Sequence, residues 1–453
     1  MLKNSSIYAA SRMNSSHFRP IRSVWLLVFA ACLIGSICKI YGFYNLYRQY
    51  PVVVRLQVIH ERNLEFPAVS ICNLNRIKKK LTKICPPKRK CRPPSGSHLI
   101  VSERSSLSFC KLLPNGTRIQ NEKNKSAIKF LIWYFNESEM KRSRKGHQPS
   151  DFLVGCSFNG RDCSEARVSY FMNFRFGNCV TFNKGNEDNE PLKVSQTGVD
   201  SGLTLKIRLE TDRYQPTTHT VGARMIIHDP HAIPSAEEEG FFIGPGYETL
   251  VSLRQTVIRR LPAPYKDECL DYRNFASNRD ECIRKCIQNQ NFKKCGCIDQ
   301  TLAVMNNLTA CDLMNVTESC CLDDALDEMS HNESACNCPL PCSAVYYNEE
   351  LSRSRLPVDD LASLNLTNDP SPEEPLVENS DLKKKNNKYR QENLTVKIFY
   401  SNLDRQVYEQ CPQWDIVELL SYLGNEIGLW LGLSITTLFE ILEKLIILIK
   451  LRM

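Results

Sequence analysis

The sequence predicts a membrane protein of the α+β class, in which two transmembrane helices flank a large disulfide-rich extracellular domain. Three observations support this prediction. Long apolar runs lie near both ends of the 453-residue chain. Nineteen of the 21 cysteines lie between those runs, which indicates a domain that folds in an oxidising compartment. Segments that alternate apolar and polar residues indicate β-strands in the same region.

The first apolar run covers residues 23–47 and is broken only by Lys39. As a helix, it is long enough to cross a hydrocarbon core of ~30 Å. A secretory signal peptide is excluded, because the run is too long and no small-residue cleavage pattern follows it. We therefore assign residues 23–47 to the first transmembrane helix.

The second apolar run lies within residues 420–449 and is interrupted by Glu440, Glu443 and Lys444. Its length also suits a membrane crossing. We assign 420–449 to the second transmembrane helix and the residues that lead into it. The alternative for this run is a buried amphipathic helix.

The charges that flank the two runs predict their orientation. Basic residues, without any acidic residue, precede the first run, and basic residues also follow the second; they are Lys3, Arg12, Arg19, Arg22, Lys450 and Arg452. Because positively charged flanks stay in the cytoplasm, both termini should be cytoplasmic. The arm 1–22 and the tail 450–453 are then inside the cell, and the domain 48–419 is outside.

Eight Asn-x-Ser/Thr sequons within 48–419 agree with an extracellular location. Their acceptors are Asn115, Asn124, Asn136, Asn307, Asn315, Asn332, Asn365 and Asn393. Two further sequons, at Asn4 and Asn14, lie in the cytoplasmic arm and should stay unmodified.

The extracellular domain begins and ends with predicted strands, at residues 51–59 and 395–400. Between residues 152 and 270, the alternating segments 203–210 and 223–228 predict further strands of a sheet. Residues 351–392 are rich in Pro, Asn and charged residues and predict a surface loop.

Two further regions of the domain have a distinct composition. Residues 78–150 are polar and basic, and we interpret them as an exposed insertion, either a solvated loop or a ligand-binding patch. Residues 269–342 contain eleven cysteines and predict short helices joined by disulfides. Cys282 and Cys286 lie one turn apart on the same face of such a helix.

Two patterns raise the question of a metal site. The Cys-x-Cys pairs at 295/297 and 336/338 suit zinc, but extracellular thiols are oxidised and no histidine lies at ligand spacing, so we favour disulfides. The string HDPH at 228–231 also resembles a ligand pair. Pro230 makes it a turn, and two ligands are too few. The sequence therefore predicts no metal.

Other function classes find little support in the sequence. The net charge of +8 is mild and not clustered, which argues against nucleic-acid binding. None of the common catalytic or phosphate-binding motifs is present, so we expect neither an enzyme nor an organic cofactor.

The second apolar run carries residues typical of an ion pathway. Gly424, Gly428 and Gly432 recur every four residues, which permits close helix packing. At Gly432-Leu433-Ser434, released carbonyls and a hydroxyl offer oxygen ligands to an ion. Glu440 and Glu443 share a helix face and would attract cations at the inner mouth. Alternatively, these acids snorkel towards the headgroups. A chain with two helices would enclose a pore only in a symmetric oligomer.

At this point the chain resembles the degenerin/epithelial sodium channel superfamily, which includes the acid-sensing channels. The resemblance begins at Trp25 and runs nearly end to end. It is carried by Tyr50-Pro51, FPAVSICNLN (66–75), GCSFNGRDC (155–163), RFGNCVTFN (175–183), SGLTLKIRLE (201–210), HDP (228–230), RRLPAPY (259–265), the cysteine strings CIRKC, KCGC and CNCPLPC, and GLWLGLSITTLFE (428–440).

The resemblance implies a homo- or heterotrimer in the plasma membrane, with a β-sheet palm, a disulfide-rich thumb and a finger-like insertion. The thumb would be the region 269–342, and the finger would be the region 78–150. The implied activity is a voltage-insensitive, amiloride-sensitive channel for Na⁺, the permeant ion, that is gated through its extracellular domain. No cofactor is implied.

The resemblance also implies roles for single residues. Gly432-Leu433-Ser434 matches the selectivity filter, a non-helical belt in the family, and Glu440 and Glu443 match pore acids. Ser421 matches the degenerin position, where a bulky side chain favours opening. Tyr50 and Tyr265 match an aromatic contact that couples the thumb to the first membrane helix.

The disulfides that the resemblance implies are Cys72–Cys179, Cys156–Cys163, Cys269–Cys342, Cys282–Cys338, Cys286–Cys336, Cys297–Cys311, and Cys295 with either Cys320 or Cys321. Five extracellular cysteines remain: Cys85, Cys91, Cys110, Cys411 and one member of the 320/321 pair. Since five is odd, at least one of them should be free or bonded to another chain.

Three departures from the family pattern bear on function. Tyr8-Ala9 stands where the family has a His-Gly gating motif. Leu433 is the middle filter residue, where Ala or Ser is frequent. Val52 and Val53 replace a histidine of proton-sensitive members, so proton gating has no specific support.

The departure at Tyr8-Ala9 favours a second hypothesis, a non-conducting accessory subunit of such a channel. An ATP-gated trimeric channel has a similar layout but lacks FPAVSICNLN and the G-x-S filter. A membrane-tethered enzyme is the remaining alternative. The stimulus and the choice between homomeric and heteromeric assembly stay open at this point.

Overall fold

The computed structural model describes residues 19–78, 110–112, 118–120, 125–185, 190–215, 218, 220–232, 234–272, 278–302, 308–331, 336–356 and 388–452. Several residues of the sequence predictions lie outside these ranges: Tyr8, Ala9, Cys85, Cys91, Asn115, Asn124, Asn307, Asn332 and Asn365.

The chain divides into two compact units. The smaller unit draws on Met1–Leu56, Arg259–Cys269 and Tyr408–Met453, and the larger unit draws on Gln57–Ile258 and Leu270–Val407. Both apolar runs belong to the smaller unit.

The helices are α1 Arg19–Tyr47, α2 Lys125–Asn136, α3 Glu139–Lys145, α4 Pro149–Phe152, α5 Arg279–Cys295, α6 Val316–His331, α7 Ile416–Leu431 and α8 Ile435–Arg452. Short 3₁₀ helices span Glu165–Arg167, Thr211–Arg213 and Gln300–Leu302. Residues 388–392 form one further helical turn.

The strands are β1 Val52–His60, β2 Leu64–Glu65, β3 Ala68–Asn73, β4 Cys110–Leu112, β5 Arg118–Gln120, β6 Leu153–Phe158, β7 Arg161–Asp162, β8 Val168–Asn173, β9 Gly177–Phe182, β10 Lys193–Val194, β11 Leu203–Arg208, β12 Ala223–His228, β13 Phe241–Ile243, β14 Tyr247–Arg259, β15 Ser343–Arg355 and β16 Asn393–Pro412.

Two larger sheets organise these strands. A seven-stranded sheet has the order β15-β14-β16-β11-β6-β7, with β1 paired to β16, and a five-stranded sheet has the order β13-β12-β3-β9-β8. In addition, β10 pairs with β2 and β4 pairs with β5. The mixture of sheets and helices agrees with the predicted α+β class.

The predicted strand at 203–210 is present as β11, and its alternation has the expected cause. Leu203, Leu205 and Ile207 are buried, and the residues between them are more exposed. They oppose Ile398, Val396 and Leu394 of the antiparallel β16. Both sets of side chains therefore meet in the main core of the larger unit.

The second predicted strand, 223–228, is present as β12, but its expected alternation is wrong. All six residues are buried, including Arg224 and His228. The cause is that the two faces of β12 contact different clusters: Ala223, Met225 and Ile227 join the main core, and Ile226 joins a second one. An inner strand that is covered on both faces loses the two-residue burial period.

The insertion 78–150 is also more regular than the sequence analysis expected. Helices α2 and α3 lie within it, and Ile128, Leu131 and Tyr134 of α2 are buried. Ile128 and Leu131 join a small core with Cys297 and Leu322. These apolar residues have helical spacing, but the many basic residues around them favoured the prediction of an irregular, exposed insertion.

Most of the disulfides that the resemblance implied are present in the structure. Of the implied pairs, the structure contains Cys72–Cys179, Cys156–Cys163, Cys282–Cys338, Cys286–Cys336 and Cys297–Cys311. Cys269 and Cys342 are each disulfide-bonded as well.

The structure also resolves the choice between Cys320 and Cys321. Cys321 bonds Cys295, while Cys320 bonds Cys110, which the sequence analysis had left without a partner. Cys411 carries a free thiol. The bond of Cys110 therefore joins the insertion to α6.

Candidate functional site

The candidate site lies in the smaller unit, where the second apolar run is divided into two helices. Helix α7 ends at Leu431, and α8 begins at Ile435. The run 420–449 is thus divided by a short non-helical segment. Gly432, Leu433 and Ser434, which the resemblance assigned to a non-helical belt, form the break.

Gly432 ends α7 because its backbone is left-handed, with φ 68° and ψ 22°. Glycine adopts this conformation without steric cost and is therefore the usual residue just after a helix. The Gly432 amide still donates to the Gly428 carbonyl at 2.9 Å. Because α7 does not continue, no further helical amides follow to donate to its last carbonyls.

Ser434 precedes α8 and caps its first turn through reciprocal hydrogen bonds with Thr437. The Ser434 amide donates to Thr437 Oγ1, and the Thr437 amide donates to Ser434 Oγ, each at 3.3 Å. The Ser434 hydroxyl also lies 2.6 Å from that of Thr436. This pattern satisfies amides at the start of the helix and fixes where α8 begins.

Helix α7 also begins at a capping box. The Asp415 carboxylate accepts from the Ile416 amide at 2.7 Å, and the Glu418 carboxylate accepts from the Asp415 amide at 3.1 Å. Both ends of α7 are therefore set by local chemistry.

Aromatic residues hold α1 against α7. The ring of Phe43 stacks on Tyr422 with 3.9 Å between centroids and packs edge-on to Trp414 at 5.1 Å. The indole of Trp430 lies against Gly35 of α1, and its Nε1 donates to Glu426 at 2.8 Å. None of these contacts was predicted from the sequence.

The glycine stripe of α7 does not serve this contact. A Cβ at Gly424 would meet no described atom within 4 Å, and a Cβ at Gly428 would meet only the Leu433 carbonyl, at 3.5 Å. The close approach expected of these glycines is therefore not made to α1. Within the described chain it is made by Gly35 of α1, where a Cβ would stand 2.8 Å from the Trp430 ring.

Ser421 lies on α7 eleven positions before Gly432. Its hydroxyl donates to the Val417 carbonyl at 2.8 Å, so the polar group is satisfied within its own helix. The residue is exposed in the single chain. Space for a larger side chain is therefore available at this position.

Tyr50 and Tyr265 are in contact, as the resemblance implied. Their rings pack edge to face, with centroids 5.7 Å apart. Tyr50 has a left-handed backbone with φ 46°, which redirects the chain after α1. Tyr265 belongs to a loop tied to β16, since the amide of Leu261 donates to Gln410 at 3.0 Å and Gln410 donates to Asp267 at 2.6 Å.

The two candidate pore acids lie on α8, beyond the break. Glu443 is exposed, and the side chain of Glu440 lies outside the described part of the structure. Of the described helices, only α1 combines the length and apolar composition of a membrane span, over Pro20–Tyr47. Helices α7 and α8 have 16 and 18 residues, and α8 carries five charged residues.

Comparison with sequence models of known families identifies the family of this chain. A sequence model of the family described as "Amiloride-sensitive sodium channel" matches residues 1–443. Members of this family are ion channels and not enzymes.

Similar proteins include "Acid-sensing ion channel 1C" of Danio rerio, 27% identical over 98% of this chain and 82% of that protein. "Acid-sensing ion channel 1" of Gallus gallus is 26% identical over 93% of this chain and 78% of that protein. "Degenerin mec-10" of Caenorhabditis briggsae is 26% identical over 76% of this chain and 46% of its own length.

Among solved structures, that of a proton-activated chloride channel aligns with 93% of this chain and 97% of its own, with a TM-score of 0.32 and 7% identity. This structural similarity is too weak to support any conclusion about the fold or the activity.

Proposed function

We propose, since this chain belongs to the amiloride-sensitive sodium channel family, that it is a pore-forming subunit of a trimeric cation channel in the plasma membrane. The channel would pass Na⁺, be insensitive to voltage, bind amiloride-type blockers and open through its extracellular domain. The observation that carries the proposal is the helix break at Gly432-Leu433-Ser434.

The break supplies what an ion filter requires. Carbonyls at the end of α7 are released from the helix pattern, and the Ser434 hydroxyl follows two residues after Gly432. Such oxygens would replace part of the hydration shell of Na⁺. Because the backbone provides most of them, Leu433 in the middle position is compatible with this role.

The pore requires three copies of the chain around a common axis. In the single chain, Gly424 of α7 faces open space, and a Cβ at Gly428 would meet only the Leu433 carbonyl, at 3.5 Å. Small residues on that face would permit close packing of neighbouring subunits in a bilayer. In this arrangement, the membrane is crossed by α7, the break and α8 together. The exposed Glu443 then lies towards the inner mouth with Glu440. Both termini are cytoplasmic.

Ser421→Phe tests the pore-forming role in whole cells. We expect a constitutive inward current that is carried by Na⁺ and blocked by amiloride, because a bulky side chain at the degenerin position holds the gate open. Ser421→Ala is the matched control, since it changes the side chain without adding bulk, and it should give no such current.

A second candidate is a non-conducting accessory subunit, which the sequence departure at Tyr8-Ala9 favours. The two proposals differ in the current carried by this chain alone. Silence of Ser421→Phe at normal surface level, with current restored by a related subunit, would support the accessory role. Current from the chain by itself would exclude it.

A further inference from the structure

Three metal-binding side chains meet in the larger unit, on segments far apart in the chain. Glu65 ends the short strand β2, while Asp229 and His231 lie in the turn that follows β12. One ligand atom of each residue lies within 4.8 Å of those of the other two. The Nε2 atom of His231 lies 3.7 Å from Glu65 Oε1, which is too long for a hydrogen bond.

These distances leave space for an ion between the side chains. Zn²⁺ takes nitrogen and oxygen ligands at about 2.0–2.2 Å, so two ligands of a tetrahedral ion lie about 3.4 Å apart. The separation of 3.7 Å is close to that value. The three side chains would occupy three of the four tetrahedral positions, and a water molecule would fill the fourth.

The turn that carries two of the three ligands is held by its own hydrogen bonds. The Asp229 carboxylate accepts from the His231 amide at 2.9 Å, and the Asp229 carbonyl accepts from the Ala232 amide at 3.0 Å. The amide of Gly185 donates to the Pro230 carbonyl at 3.0 Å. Because the backbone is already fixed, ion binding would order little additional chain.

His228, which the sequence analysis paired with His231, is not available as a ligand. It is buried, and its Nε2 lies 2.9 Å from Ser70 Oγ, while its Nδ1 lies 2.9 Å from the Asp229 carbonyl. Its role is to anchor the turn. The third ligand is instead Glu65, which no motif in the sequence connects with the string HDPH.

The third ligand is also held in place. The carbonyl of Glu65 accepts from the Tyr400 hydroxyl at 2.8 Å, and Glu65 pairs with Lys193 in the antiparallel β2–β10 pair. Burial raises the pKa of Glu65, and Asp229 raises it further, although His231, Lys193 and Arg405 lower it. Two carboxylates that repel each other in a half-buried place are stabilised by a cation between them.

We propose that Glu65, Asp229 and His231 form an extracellular binding site for a divalent transition metal ion, and that Zn²⁺ is the ion it binds best. One imidazole with two carboxylates favours Zn²⁺, because imidazole binds Zn²⁺ far better than it binds Ca²⁺ or Mg²⁺. All three residues belong to the larger unit, and the proposed site does not rest on the proposed conduction.

Zn²⁺ titration of the purified full-length protein in detergent tests the site, with calorimetry as the readout. We expect one Zn²⁺ per chain, and we expect His231→Gln, Glu65→Gln and Asp229→Asn each to weaken binding by about tenfold or more. Wild-type thermal stability should rise with added Zn²⁺, and that of His231→Gln should not.

His60→Gln is the matched control. His60 is an exposed histidine that contacts one carboxylate, that of Asp404 at 2.8 Å, and it should bind no Zn²⁺ at this stoichiometry. The control should therefore bind Zn²⁺ as the wild type does. Unchanged binding by a correctly folded His231→Gln, or equal displacement by Ca²⁺, would overturn the proposal.

Discussion

Gly35 of α1 lies directly against the indole of Trp430 in α7, so that a Cβ at residue 35 would stand 2.8 Å from the ring. The contact joins the N-terminal helix to the last turn of α7, immediately before the break at Gly432. Because the ring is also held by the bond from Trp430 Nε1 to Glu426, it cannot turn away freely. Packing at Gly35 therefore bears on the position of the candidate filter.

Gly35→Val should destabilise the helix pair, because the new side chain overlaps the indole. Overpacking of this kind costs about 1–3 kcal/mol. We expect less protein at the cell surface and a lower melting temperature of the detergent-solubilised protein. Gly42→Val is the matched control on the same helix, since a Cβ there meets no described atom within 4 Å. Equal loss in both variants would contradict the packing argument.

Tyr265→Ala should remove the edge-to-face contact with Tyr50 and reduce channel opening. Such aromatic pairs contribute about 0.5–1.5 kcal/mol beyond their buried area. Tyr265→Phe keeps the ring and should retain the current of the Ser421→Phe background.

The pair is measured directly by a double-mutant cycle with Tyr50→Ala. If the two residues act through their contact, the second substitution should add little to the first. Additive effects on current would show that the rings act separately.

The sequence predicted the elements with local signals. The α1 span, the strand β11 and the disulfide-rich helices all follow from periodicity or cysteine spacing. The break at Gly432 was implied by the resemblance, and its cause, a glycine with positive φ, is visible only in the backbone.

What the sequence did not predict depends on contacts between distant segments. The pairing of Gly35 with Trp430 requires the register of two helices, and neither apolar run encodes that register. The choice between Cys320 and Cys321 is of the same kind. Neighbouring residues on a helix point in different directions, so one sulfur faces Cys295 and the other faces Cys110 only once α6 is oriented.

Cys110→Ser should therefore expose a single new thiol, that of Cys320. We expect one additional site of maleimide labelling, located at residue 320 by peptide mapping, in protein that still assembles. Loss of this long-range bond removes about 3–5 kcal/mol of stabilisation in the chain-entropy view. Cys156→Ser is a comparison at a short loop, where Cys163 should be labelled and the loss smaller. Labelling at Cys321 in the Cys110 variant would contradict the assigned pairing.

The buried contact of His147 with Glu210 predicts a loss of stability in mild acid. Nδ1 of His147 lies 2.9 Å from Glu210, and Asn75 donates to its Nε2 at 2.8 Å, so the imidazole is neutral. Burial lowers the pKa of His147 below its usual 6.5, and this outweighs the opposing effect of Glu210. As the pH falls, His147 is therefore protonated in the unfolded chain before it is protonated in the folded chain.

Stability of the larger unit should accordingly fall as the pH drops from about 6.5 towards the lower pKa of the folded state. The pKa of Glu210 is also lowered, because hydrogen bonds from Lys78 and His147 outweigh its burial, but its contribution is lost only below the usual carboxylate value of 4.5. Between about pH 7.5 and 5.5, the histidine therefore dominates this network.

His147→Gln should lower the melting temperature at about pH 7.5 and yet flatten its decline towards about pH 5.5, since glutamine does not titrate. A purely structural role would lower the whole curve without changing its slope. His331→Gln is the control at an exposed histidine of α6, and it should keep the wild-type slope. A variant curve parallel to that of the wild type would assign the acid sensitivity to other groups.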